Sequence, residues 1–263
     1  SGTAGVTATG GRHGRSDDDV STTLAYQQYL EAVGAETARL TTVALDRLAE
    51  TVPSCPEWTV HDLVDHLRHV YTFWHTQLLN GDTTARVELD DRSLPEGSDP
   101  SDALEEAAHE LGQLLAAKSP DAPCWNWSGR NLTAGWLARR MALESAVHRY
   151  DAELAAGTPT PIGAPLSVDG IDEFLTVHLA TDLPEMPDAS LGGPICLACS
   201  DTDNAWTVEI GGGKIRVRDG RGPAVAYLSG TASALFLFVW NRVTPDDLEL
   251  TGDRGVAYAW AKL

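Results

Sequence analysis

Between Met141 and Asp151 the chain places Glu144 and His148 four residues apart, inside a run that otherwise reads as the buried face of a helix. At about 100° per residue, Leu137, Met141, Glu144, Val147, His148 and Asp151 fall on one side of the cylinder. A carboxylate and an imidazole therefore stand where leucines are expected. An unpaired carboxylate is costly to bury, so these two groups must satisfy one another, bind water or bind a cation. The i,i+4 spacing aims both side chains at one point about one turn along the axis, as in helical zinc motifs. Two ligands do not make a site, so a fold built around this stretch has to bring a third donor to it.

Composition narrows the classes. With 263 residues and 43% hydrophobic content the chain can bury one large core or two smaller ones, and two domains are the expectation. A formal charge of −19 argues against nucleic acid and anionic membranes as partners, since both call for clustered Lys and Arg. No apolar run approaches the length of a membrane span and the amino terminus carries no hydrophobic signal core, so a cytoplasmic location is expected. Four cysteines without a dense framework fit a reducing compartment.

Taken in order, residues 1–20 lack periodicity and read as a flexible arm or tag remnant. From Ser21 to Thr51 mostly apolar positions recur at intervals of three and four, which predicts a long amphipathic helix. Val52 to Thr59, with two prolines, reads as a rigid connection, and Thr59 to Asp62 as a capping box opening a second helix that runs to Asn80. His66 lies at the edge of that helix's apolar stripe. It is the best third donor, although a histidine in this position serves equally well as a satisfied interfacial residue. His61, His69 and His75 read as surface or packing residues. Gly81 to Pro100 is an acidic loop, either a lid or a solvated connection. A third helix follows from Pro100 to Lys118, then a loop carrying Cys124, Trp125 and Trp127, whose tryptophans either wall a pocket or plug the bundle end. Thr133 caps a fourth helix that ends at Gly157. Residues 21–160 are thus expected to form a four-helix bundle, in which metal sites are built between facing helices.

The pattern changes after the segment from Thr158 to Pro161. Residues 161–263 read as a second, α+β domain: a helix from Ser167 to Ala180, strands near 195–199, 205–210, 214–217, 224–229 and 247–251, a hydrophobic helix from Thr231 to Trp240 and a terminal helix from Gly255. Cys196 and Cys199 form a CxxC on a strand with no helix start behind it, which reads as coincidence. Cys55 reads as structural.

Cys55-Pro56-Glu57-Trp58-Thr59-Val60, Asp62-Leu63-Val64 with His66-Leu67, and Ala142-Leu143-Glu144 with His148-Arg149-Tyr150-Asp151 resemble the mycothiol-dependent maleylpyruvate isomerase family of DinB-like metalloenzymes. Leu228-Ser229-Gly230, Trp240-Asn241-Arg242 and Leu250-Thr251-Gly252-Asp253 resemble that family's sterol-carrier-like C-terminal domain. The resemblance implies a zinc ion, or another divalent metal, held by His66, Glu144 and His148, with Arg242 as the functional arginine of the second domain, touching substrate or cofactor. It implies mycothiol as thiol cosubstrate, activated for addition to a small electrophile, with cis-trans isomerisation or S-transfer as the outcome. Asp151 is a candidate partner for the free ring N–H of His148, with Arg149 or Arg140 as its alternative partners. Two other classes remain open on the residues alone: a non-catalytic metal- or ligand-binding stress protein, and a metal-dependent hydrolase in which water replaces the thiol.

Overall fold

The computed structural model describes residues 24–89, 94 and 97–263. The arm at 1–20 and part of the acidic loop lie outside the described residues. Helix α1 (Tyr26–Ala44) buries Tyr29, Val33, Thr37, Leu40, Thr41 and Ala44. It stops about two turns before the sequence periodicity does. Leu45 turns extended and Asp46 adopts φ 61°, a left-handed conformation that Asp tolerates better than most residues. No Gly or Pro marks that break. The segment expected to be a plain connection is a small hairpin, β1 (Thr51–Val52) against β2 (Cys55–Thr59), with Pro53 in its turn. Its end delivers the chain into α2 (Val60–Asn80). Thr59 and Asp62 bond each other's backbone N–H in a capping box, and Gly81 closes the helix at φ 66°.

Helix α3 (Pro100–Ala116) opens on Asp99, whose carboxylate accepts from the N–H groups of Ser101 and Asp102. Helix α4 (Ala134–Ala155) is buried around most of its circumference, with Gly135, Glu144 and positions in its last turns partly open. Helix α1 lies against α4 and α3, and α2 against α3 and α4, giving the expected bundle. A helix buried on all sides must pair its charges internally. Arg139 bonds Asp169 and Asp172, and the Tyr29 hydroxyl donates to the same Asp169 at 2.7 Å.

Those aspartates belong to α5 (Ala164–Glu173), which begins a turn earlier than the sequence pattern indicates, with Pro165 in its first turn. It continues through a π-turn at Phe174–His178 into α6 (Leu179–Asp182). The remainder is a five-stranded sheet in the order β5-β4-β3-β6-β7, comprising β3 (Ile195–Cys199), β4 (Ala205–Gly211), β5 (Lys214–Asp219), β6 (Ala226–Gly230) and β7 (Glu249–Gly252). All neighbours are antiparallel except β3 and β6. The parallel pair accommodates no hairpin, and the long route from β3 to β6 passes through β4 and β5. Cys196 and Cys199 both lie buried on β3, three residues apart and so on opposite faces, and burial pushes both thiols up. Helix α7 (Ala232–Val239) joins β6 to β7, and α8 (Arg254–Ala259) ends the chain with a single further turn. This α+β arrangement is the class expected from the sequence. Among the described residues no helix is long and apolar enough to cross a membrane.

Helices α5 and α7 meet at Gly170, where a Cβ would stand 2.3 to 2.8 Å from three ring atoms of the buried Phe236. The contact exists because residue 170 has no side chain. Gly170→Ala is expected to destabilise the protein by about 1–3 kcal/mol through overpacking, measured by urea denaturation. An unchanged midpoint would mean that the helices separate without cost.

Candidate metal centre and adjoining cleft

The buried face of α4 carries Glu144 and His148 on successive turns, and α2 crosses it with His66 at the point where its apolar stripe gives way. Glu144 Oε1 lies 3.2 Å from His148 Nε2 and 3.6 Å from His66 Nε2. The two imidazoles stand edge to face with centroids 5.1 Å apart, and one ligand atom from each of the three residues falls within a 4.8 Å cluster. His66 is backed by the indole of Trp58, 4.9 Å away, so the β1–β2 hairpin walls the donor that the sequence placed least firmly.

The other oxygen of Glu144 accepts from Arg140 at 2.7 Å, and Arg140 also forks onto Glu173 at 2.8 and 2.9 Å. Burial disfavours the ionised carboxyl, but Arg140 and the two histidines outweigh it and hold Glu144 well below the usual carboxylate range. Arg149, one of the alternative partners suggested for Asp151, bonds Glu36, Glu153 and Thr160 instead.

Asp151 is fully buried one turn beyond His148. Its Oδ1 accepts from Ser54 at 2.5 Å and from Arg242 Nε at 3.1 Å, and its Oδ2 from Arg242 Nη2 at 2.9 Å and His148 Nδ1 at 3.1 Å. Four donors on one carboxylate keep it ionised, against the effect of burial. An ionised carboxylate only accepts, so His148 must donate through Nδ1. Its Nε2 is then turned to Glu144 Oε1, and that contact is attractive only with a proton or a cation between the two atoms. With a proton, burial opposes the charge on the ring, but the hydrogen bonds to Asp151 and Glu144 prevail and push the imidazole up to about 9.

The donor set suits a cation. A divalent ion about 2.0–2.2 Å from nitrogen and carboxylate donors requires those atoms to stand roughly 3–4 Å apart, the separation found between Glu144 Oε1 and each histidine nitrogen. Two imidazoles and one carboxylate leave net positive charge on a divalent ion and too few protein ligands to enclose it. The chemistry of His148 agrees: its second nitrogen is fixed by a carboxylate, the usual support of a metal-binding histidine.

Arg242 reaches this centre from the turn after α7, where Asn241 takes φ 58°. The sequence gives no sign of where its fork points. The carboxylate that it holds is that of Asp151, and its Nη1 donates to the Trp240 carbonyl at 2.8 Å.

A cleft of about 270 Å³ opens beside His66, walled by Phe73, Trp74, Trp125 and Trp127 with Arg86 at its rim. Both loop tryptophans face it, and both also pack on the bundle: Trp125 stacks on Trp74 with centroids 6.2 Å apart, and Trp127 meets Trp136 edge to face. His69 lines the same cleft and pairs with Asp65 at 3.3 Å. Phe73 and Arg86 were not singled out by sequence. Phe73 sits next to the apolar stripe, and Arg86 lies in the acidic loop without periodic context.

Residues 30–153 match the family model described as the mycothiol maleylpyruvate isomerase N-terminal domain, and residues 165–259 match the model of the corresponding C-terminal domain. No curated protein gives a significant match. Two solved structures resemble the chain: one titled as the mycothiol-dependent maleylpyruvate isomerase and one as a histidine-to-alanine mutant of it, with TM-scores of 0.58 and 0.56. Each is 14% identical, and each alignment covers 89% of this chain and 97% of the other.

Proposed function

Since the chain belongs to the mycothiol-dependent maleylpyruvate isomerase family, we propose that it is a zinc-dependent enzyme using the thiol of mycothiol against a small electrophile, with cis-trans isomerisation as the reaction. The observation that carries this reading is the convergence of His66, Glu144 and His148 on one point at the edge of an open cleft. A divalent cation held there would supply the positive charge that makes a coordinating thiol give up its proton.

The chain's own residues do the rest. Glu144, kept ionised by Arg140, supplies one negative charge and a single donor oxygen, because its second oxygen is engaged. Asp151 fixes the ring of His148 so that Nε2 presents its lone pair. Arg242 acts through Asp151, as the counter-ion that keeps this carboxylate an acceptor, and we assign it a positioning role in place of the substrate or cofactor contact that the family resemblance implies. Trp58 and the cleft tryptophans keep bulk water from one side of the centre. Addition of a thiol sulfur to a conjugated double bond leaves a single bond free to rotate. Expulsion of the sulfur then returns the thiol and the trans isomer.

Turnover of maleylpyruvate by the purified protein, followed optically with and without mycothiol, tests this function. Activity is expected to need both the thiol and the metal, to vanish on chelation and to return with added zinc. Turnover without any thiol would favour the hydrolase reading, and no turnover with metal bound would favour a binding protein.

A further inference from the structure

The cleft beside His66 is an unusual receptor for a small dicarboxylate. Its walls are aromatic rings, and the cations around the centre are already paired. Arg242 is forked onto Asp151 and Arg140 onto Glu144 and Glu173, so neither brings uncompensated charge to a ligand. Among the described residues, two basic groups besides His66 line the cleft, and of these His69 is held by Asp65. The other is Arg86, whose guanidinium lies 5.0 Å from the Phe73 ring centroid. Its partner there is Glu88 at 3.2 Å, and both side chains are exposed, 43% and 70%. An exposed pair of this kind is weak and exchanges readily for a ligand anion. The chain's charge of −19 further penalises each added negative charge on an incoming molecule.

We propose that this cleft binds the electrophile, and that it selects a flat, largely apolar molecule, aromatic at one end, bearing a single anionic group that Arg86 receives. The assignment rests on the isomerase reading above and sharpens its substrate class. The ring of the ligand lies among Phe73, Trp74, Trp125 and Trp127, where offset and edge-to-face contacts are available. His66 belongs both to the cleft wall and to the donor cluster, which puts the conjugated double bond of such a molecule beside the metal centre. In the reaction the thiolate sulfur forms a bond to one alkene carbon while the π pair moves to the conjugated carbonyl oxygen. After rotation the pair returns, the C–S bond breaks, and thiolate is released unchanged. No oxidant, reductant or further proton is consumed.

N-phenylmaleamate carries one carboxylate, one aromatic ring and a cis double bond, and maleylpyruvate carries two carboxylates and no ring. With zinc-loaded protein and mycothiol, kcat/KM is expected to be at least about tenfold higher for N-phenylmaleamate, the ratio that one modest binding contact supplies. Arg86→Gln and Trp125→Leu are each expected to lower it about tenfold. Arg86 is exposed, so its variant folds normally. Calorimetric titration of the trans product, N-phenylfumaramate, into zinc-loaded protein without thiol reads the cleft independently of turnover. Its affinity is expected to fall about tenfold in both variants. A preference for maleylpyruvate, or product binding indifferent to both substitutions, overturns the assignment while leaving thiol-dependent isomerisation standing. Product binding that depends on Arg86 and Trp125 without any thiol-dependent turnover supports the cleft and removes the isomerase reading.

Discussion

His148→Ala is expected to weaken zinc binding by about two to three orders of magnitude, measured by competition with a chromophoric chelator. Apparent binding free energies of about 10–16 kcal/mol for four-ligand zinc sites assign roughly 2.5–4 kcal/mol to each ligand, and every 1.4 kcal/mol is a factor of ten. The loss has a second source. In the wild-type protein the ring is already oriented by Asp151, so binding requires no search for the correct tautomer or rotamer. Alanine removes the donor but leaves Asp151 on Arg242 and Ser54, so the fold persists and the melting temperature of the metal-free variant serves as the control. An unchanged zinc affinity would falsify the assignment of His148 as a ligand.

Asp151→Asn acts on both the centre and the fold. The amide retains the shape of the carboxylate but offers an NH₂ group where Arg242 or His148 now donates. The Arg242 guanidinium, whose side chain is 15% exposed, loses its counter-ion. Breaking a largely buried pair from one side costs about 3–5 kcal/mol, which denaturant unfolding of the metal-free protein will show. Zinc affinity is expected to fall by about 10- to 100-fold, since His148 loses the partner that fixes its ring. Ser54→Ala, which removes one neutral donor to the same carboxylate, is expected to cost only about 1 kcal/mol. If the Asn variant unfolds at the wild-type denaturant midpoint, the bond network around Asp151 contributes nothing to stability.

The parts of this molecule that sequence disclosed are those carried by local periodicity. Glu144 and His148 could be paired because a helix fixes where residues four apart must lie. The run of α2 was bounded by its capping box at Thr59 and by Gly81, both of which have a backbone reason to be there. The strands of the sheet were found from alternation and turn residues. The break in α1 was missed because Asp46 takes its left-handed conformation without Gly or Pro to announce it. The β1–β2 hairpin was masked by two prolines, which read as a connection although Pro53 sits in the turn and Pro56 on a two-stranded edge. The π-turn at Phe174–His178 leaves no compositional mark.

At the centre itself, local spacing could offer Asp151 to His148 but could not choose between that contact and Arg149 or Arg140. The choice is made by Arg242, 91 residues away, whose approach depends on how the sheet is seated against the bundle. The cleft has the same origin. Phe73, Arg86 and Trp125 come from a helix, a loop and a second loop, and no pattern within any one of these indicates that they share a cavity.

The Asp151–Arg242 contact also bears on how such a chain can be inherited. One half of the pair is encoded with the metal donors and the other with the sheet, so recombination between the two segments separates them. A chimera joining these helices to a sheet from a distant relative would keep all three donors and leave Asp151, the carboxylate that holds His148, without its counter-ion, unless an arginine arrives at the place of Arg242. The two segments are therefore expected to have diverged together, with exchange tolerated only between parents that match at this one contact.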